Sequence, residues 1–73
     1  MDKNIKQKLG RNIKIERIRK DLTQEEFAER IDMSLSYVSK LEQGITSPTA
    51  IVLYKMSKIL DVSMEDFFDK IEI

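Results

Sequence analysis

The residue types that carry most enzyme chemistry are missing from this chain of 73 residues. It contains no cysteine and no histidine, which removes thiolate nucleophiles, disulfides, the commonest general base and the commonest metal ligands. The remaining acid–base groups are mainly Asp, Glu and Lys, and they form no evident catalytic constellation. The sequence therefore predicts a protein that is not an enzyme and that binds no metal, no cofactor and no small-molecule ligand.

One short segment is better suited to hydrogen bonding than to catalysis. From Ser34 to Leu41 the side chains are mostly polar, and Val38 and Leu41 have the spacing of a buried helical stripe. A helix with this pattern keeps one face in the core. Its opposite face, which is largely polar, remains free to contact another molecule.

Charge is unevenly distributed although the formal net charge is zero. Residues 1–20 carry eight Lys and Arg against two acids, whereas residues 21–44 carry six acids against two basic residues. Such a chain can present one positive face, or its charges can simply be solvated on helix surfaces. No segment reads as a signal peptide or as a membrane span, so we expect a cytoplasmic protein with no membrane contact.

The scarcity of helix breakers predicts an all-α fold, because Gly10, Gly44 and Pro48 are the only glycine and proline residues. We expect a compact bundle of five helices in one domain spanning residues 1–73. The first helix should cover about residues 4–20, with an apolar stripe at Ile5, Leu9 and Ile13.

Three capping patterns place the middle helices. Thr23 with Glu26 forms a capping box that starts the second helix, and Ser34 is the N-cap of the third, which Gly44 ends. We expect the fourth helix to take Ser47 as N-cap and Pro48 as its first residue.

The last two helices should complete the core. Ala50, Leu53, Met56 and Leu60 have the spacing of the inner face of the fourth helix. A second capping box, in residues 63–66, should open a short fifth helix that points Phe67 inward.

Residues 23–44 have the properties of a helix-turn-helix, in which two helices are joined by a short turn. Ala28 is small where the helices must cross, and Ile31, Met33, Val38 and Leu41 are apolar where the second helix must pack. Asp32 stands in the turn, and Asp tolerates a left-handed backbone better than most residues.

The run TQEEFAERIDMSLSYVSKLEQGITSP resembles the phage-repressor and Cro-like helix-turn-helix family, and the similarity extends from about Leu9 to Phe68. The resemblance implies a lambda-repressor-like DNA-binding domain and a transcriptional regulator. Its recognition helix, residues 34–43, would enter the major groove of double-stranded DNA. Residues 48–73 would support this motif and form a dimer. Two residues depart from the family pattern: Asp32 replaces a usual Gly, and Glu16 replaces a usual apolar residue.

The resemblance also implies which residues contact DNA. They are Gln24, Ser34, Leu35, Ser36, Tyr37, Lys40, Thr46, Ser47 and Arg17. Four alternatives stay open at this point: Leu35 lies in the core, Tyr37 packs between helices, Ser47 serves only as a cap, or Arg17 forms a structural salt bridge with Glu42.

The end of the chain carries more apolar residues than a core of this size easily buries. We expect Ile59, Phe68, Ile71 and Ile73 to form a two-fold homodimer interface. That dimer would place two recognition helices about 34–36 Å apart, matching a palindromic operator. The alternatives are an antitoxin or adaptor that keeps the fold without reading DNA, or a controller protein of a restriction–modification system.

Overall fold

The computed structural model describes residues 2–72 and contains four α-helices followed by one short 3₁₀ helix. The α-helices are α1 (Asp2–Arg19), α2 (Gln24–Arg30), α3 (Leu35–Glu42) and α4 (Ala50–Leu60), and the 3₁₀ helix covers Met64–Phe68. Within residues 2–72 all regular structure is helical, so the all-α prediction is confirmed. The prediction of five α-helices is wrong for the last element.

A single core lies between these helices. Its completely enclosed members include Ile13, Phe27, Val38, Met56 and Phe67, which together come from all four α-helices and the 3₁₀ helix. Phe67 points inward as predicted. The core therefore fixes the position of α2 and α3 against the rest of the chain.

The contact between α1 and α3 depends on Gly10. A Cβ atom there would collide with the carbonyl oxygen of Leu41 and lie 2.9 Å from that of Glu42. Because Gly10 has no side chain, α1 lies directly against the C-terminal end of α3.

The caps around the helix-turn-helix form as predicted. Thr23 Oγ1 accepts from the Glu26 amide at 3.0 Å, and Glu26 Oε1 accepts from the Thr23 amide at 2.9 Å. Ser34 Oγ accepts from the Tyr37 amide at 3.0 Å. Gly44 ends α3 with φ +78°, and Asp32 occupies the turn with φ +59°.

Three predictions about the second half of the chain are wrong. The N-cap of α4 is Thr49, whose Oγ1 accepts from the Val52 amide at 3.2 Å, so neither Ser47 nor Pro48 starts the helix. Hydroxyl residues flank Pro48 on both sides, and the sequence does not tell which of them caps. Ala50, the first residue of the observed helix, is exposed rather than part of the inner face.

The last helix is 3₁₀ because it is very short. The Ser63–Asp66 capping box forms, but Asp69 leaves the helical region at ψ 131° after only five helical residues. Segments of this length favour the tighter 3₁₀ geometry. Among the helices described, none is long and apolar enough to span a lipid bilayer.

Candidate nucleic-acid interface

The α3 helix has one buried side and one exposed side. Val38 and Leu41 are enclosed, with exposed fractions of 0% and 1%. Leu35, Ser36 and Lys40 are exposed, and Leu35 keeps 47% of its surface in solvent. The interpretation of Leu35 as a core residue is therefore wrong, and this face is open to a partner.

A buried polar cluster holds α3 against the two helices that precede it. Arg17 and Glu42 form a two-pronged ion pair, with Nε–Oε2 2.7 Å and Nη2–Oε1 3.0 Å. Arg17 Nη1 also donates to the Leu22 carbonyl oxygen at 2.7 Å, and Gln24 Nε2 donates to Glu42 Oε1 at 3.0 Å. The cluster joins α1, α2 and α3 at one point. This fixes the C-terminal end of α3.

The same cluster defines what Arg17 and Gln24 do in the free protein. The Arg17 side chain is 9% exposed and all three of its nitrogens are hydrogen-bonded. In the free protein it therefore links α1 to α3 and to the segment that precedes α2. A DNA contact by Arg17 stays a prediction. Gln24 is partly exposed and keeps its amide oxygen and one amide hydrogen for a partner.

Tyr37 is partly buried and packs against the core, so its DNA contact stays a prediction. Desolvation by burial raises the pKa of its phenol. The hydroxyl therefore stays protonated at neutral pH and can donate a hydrogen bond.

The loop between α3 and α4 carries the remaining predicted contacts. Thr46 is partly exposed and Ser47 is exposed. Because Thr49 takes the capping position, Ser47 is not needed as a cap. The hydroxyl of Ser47 therefore remains available to a partner.

Two helices of opposite charge lie near the site: α1 is mainly basic and α2 is mainly acidic. The acids Glu25, Glu26 and Glu29 of α2 are exposed. Hydrogen bonds from the backbone and side chain of Thr23 lower the pKa of Glu26, with a smaller contribution from Arg30. Glu26 is therefore ionised near neutral pH.

Some basic residues of α1 lie beside acids from the end of the chain. Lys8 and Arg11 are exposed and line a shallow cleft between α1 and the end of the chain, together with Asp66, Asp69 and Lys70. Charges of both signs therefore meet along this part of α1.

Two interactions of this region were not predicted. Asn12 Nδ2 donates to the carbonyl oxygens of Phe67 and Asp69 at 2.8 and 3.0 Å, which ties the end of the chain to α1. Gln43 Nε2 donates to Ser39 on the exposed side of α3. Apolar periodicity carries no signal for either, although the four-residue spacing of Ser39 and Gln43 is compatible with a helical pair.

Comparison with known proteins identifies the motif. A helix-turn-helix family model matches residues 13–67, which include α2, α3 and most of the core. The chain belongs to the Cro/C1-type helix-turn-helix family. This membership agrees with the capped helix pair and the open face of α3.

Two relatives show the range of similarity. The control protein C.MunI from a Mycoplasma species is 33% identical over 70 residues, covering 94% of this chain and 95% of the relative. An uncharacterised helix-turn-helix transcriptional regulator, y4dJ of Sinorhizobium fredii, is 44% identical over 55 residues, or 75% of this chain and 71% of the relative.

Solved structures have the same fold. The restriction–modification controller protein C.AhdI from Aeromonas hydrophila superposes with a TM-score of 0.80 at 27% identity, covering 85% of this chain and 94% of that chain. The clp gene regulator ClgR from Corynebacterium glutamicum gives 0.84 at 28% identity, covering 88% of this chain and 68% of that one.

Proposed function

We propose that this protein is a transcriptional regulator that binds double-stranded DNA sequence-specifically, with α3 in the major groove. The observation that carries the proposal is the exposed face of α3. Leu35, Ser36 and Lys40 are open on a helix whose other side is locked into the core. A helix presented in this way has the geometry of a recognition helix.

The exposed side chains divide into base contacts and phosphate contacts. Lys40 can donate to guanine O6 and N7, Ser36 can contact either kind of base edge, and Leu35 suits a thymine methyl group. Ser34 is the fourth of the groove-facing positions. Of the other predicted contacts, Gln24, Tyr37, Thr46 and Ser47 would fix the position of the protein on the DNA backbone, whereas the Arg17 side chain is held in its ion pair with Glu42.

A homodimer on a palindromic operator is part of the proposal. Phe68 keeps 40% of its surface exposed and supports an apolar interface at the end of the chain. Ile59 and Ile71 are partly buried against the core, so they offer less free surface than expected. The fourth predicted interface residue, Ile73, lies outside the described residues.

The biological role that we favour is that of a controller protein in a restriction–modification system. The matches to C.MunI and C.AhdI cover nearly the whole of both relatives, at 95% and 94% of their lengths. This role predicts that the DNA sequence that the protein binds occurs upstream of restriction–modification genes in the source genome.

Enrichment of duplexes from a random pool at low salt tests the proposed function. We expect one sequence family with two-fold symmetry, bound with an affinity that falls steeply as salt rises, because phosphate contacts release counterions. If no duplex is enriched, the protein is better explained as an interaction module of the antitoxin or adaptor kind.

A further inference from the structure

Ser39 on α3 and Gln43, the C-cap residue that follows α3, form a hydrogen-bonded pair that has no part in the contacts proposed above. Gln43 Nε2 lies 2.9 Å from Ser39 Oγ and 3.1 Å from the Ser39 carbonyl oxygen. Gln43 is exposed and Ser39 is partly exposed. Residues three apart share one side of a helix, so Ser39 neighbours Ser36 and Gln43 neighbours Lys40.

The geometry fixes the direction of these hydrogen bonds. The amide nitrogen of Gln43 must face Ser39, because an amide oxygen in its place would oppose the Ser39 carbonyl oxygen. Ser39 Oγ is therefore the acceptor, and one of its lone pairs is occupied by Gln43.

The hydroxyl hydrogen of Ser39 has no acceptor within residues 4–72. The one hydrogen bond that Ser39 Oγ makes there is the one that it accepts from Gln43. Ser57 shows the common alternative, in which a helical serine donates to a backbone carbonyl oxygen of the preceding turn. Here the acceptor is the Tyr54 carbonyl oxygen at 2.6 Å. Ser39 makes no such bond and keeps its donor for a partner.

We infer that Ser39 is a further base-reading residue and that Gln43 is the positioning residue that makes it a donor; this rests on the proposed function. A free serine hydroxyl rotates and contacts donors or acceptors alike. With one of its two lone pairs held by Gln43, the Ser39 hydroxyl becomes a stronger donor and a weaker further acceptor, because successive hydrogen bonds polarise one another. It then suits the acceptors of guanine, adenine or thymine in the major groove and disfavours cytosine, which presents only an amino donor there.

The test is a profile of relative affinities for the four bases at each position of the selected operator. For the wild type we expect one position in each half-site at which cytosine is bound about fivefold more weakly, the value of one hydrogen bond. The Ser39→Ala variant should lose this discrimination, and Gln43→Met should weaken it at the same position alone. In the Ser39→Ala background, Gln43→Met should change nothing further.

Ser47→Ala is the matched control, because a lost phosphate contact weakens all sequences alike and leaves the profile unchanged. Thermal melting of each variant separates a loss of folding from a loss of recognition. A Ser39→Ala profile identical to the wild type, or an added effect of Gln43→Met in that background, overturns the role of the pair. A wild type that enriches no duplex overturns the proposed function as well.

Discussion

At the scale of single residues, the ion pair of Arg17 and Glu42 carries a large energetic consequence. Both side chains are almost completely removed from solvent, at 9% and 2% exposed. Removing one partner of a buried pair leaves the other charge without compensation. The pair therefore affects the free energy of unfolding mainly because the loss of either partner leaves a buried charge uncompensated.

The Glu42→Ala variant tests this. We expect it to lower the free energy of unfolding by about 3–5 kcal/mol, measured by urea denaturation. Glu16→Ala is the matched control, because Glu16 pairs with an Arg19 side chain that is 71% exposed. That change should cost less than about 1 kcal/mol. Equal effects of the two variants would show that burial does not set the strength of the Arg17 pair.

The capping box of α2 predicts a dependence of stability on pH. The Thr23 hydrogen bonds lower the pKa of Glu26 from its ordinary 4.5. The folded state thus favours the ionised carboxylate, and this contribution is present above pH 4.5 and disappears as the pH falls through the lowered value. We expect the melting temperature of Glu26→Gln to fall less than that of the wild type between about pH 5 and pH 3.

Glu29→Gln provides the comparison, since Glu29 is an exposed acid on the same helix outside the capping box. It should retain the wild-type pH profile. If both variants retain it, the cap of α2 contributes nothing to acid sensitivity.

Sequence reasoning at the residue scale worked where a pattern is local. The Thr23 and Ser34 caps follow from side chains that reach a backbone amide three residues away. The partner of Gln24 lies on another helix, and the contact of Asn12 with the end of the chain joins residues 55 and 57 positions apart. Such contacts appear only after the helices have packed.

At the scale of elements, the turn between α2 and α3 combines two requirements. It must reverse direction within a few residues, and it places Asp32 at φ +59°. An L-residue in this region carries a conformational cost that Asp reduces and Gly avoids. The Gly-to-Asp departure from the family pattern is therefore compatible with the turn.

Substitutions at Asp32 measure that cost. Asp32→Ala should lower the free energy of unfolding by about 1 kcal/mol, whereas Asp32→Gly should leave it equal or higher. Asp69→Ala is the control, since Asp69 has φ −56° and should tolerate Ala. Chemical denaturation gives the three values, and an Ala variant as stable as the Gly variant would contradict the argument.

The sequence predicted the helix-turn-helix well and the second half of the chain less well. Each boundary of α2 and α3 carries one clear signal. The start of α4 offers both Ser47 and Thr49, and the Ser63 capping box specifies a helix start without specifying its type. In the structure Thr49 caps α4, and the last helix is a 3₁₀ helix of five residues.

At the scale of the whole molecule, the proposal joins two copies through the end of the chain. Phe68→Lys should shift the protein from dimer to monomer at tens of micromolar concentration, because it places a charge in an apolar contact. Mass by light scattering measures the change. Ile51→Lys is the matched variant, as Ile51 is the more exposed of the two at 72% but lies outside the predicted interface.

If Ile51→Lys dissociates the dimer and Phe68→Lys does not, the interface lies on the outer side of α4 instead. A wild type that is monomeric at these concentrations would contradict the homodimer proposal altogether. DNA binding by α3 would then have to be explained by single copies.

In the proposed complex, α3 reads the bases while other residues contact the DNA backbone. The most direct measurement is the ratio of affinities for the selected operator and a scrambled duplex of equal length, for wild type, Lys40→Ala and Lys14→Ala. Lys14 is an exposed basic residue of α1 that can contact phosphate but no base. Lys40→Ala should reduce this ratio by about 5- to 150-fold if Lys40 contacts guanine through two hydrogen bonds. Lys14→Ala should weaken both duplexes alike and flatten the salt dependence. If Lys40→Ala leaves both the ratio and the affinity unchanged, α3 does not lie in the major groove as proposed.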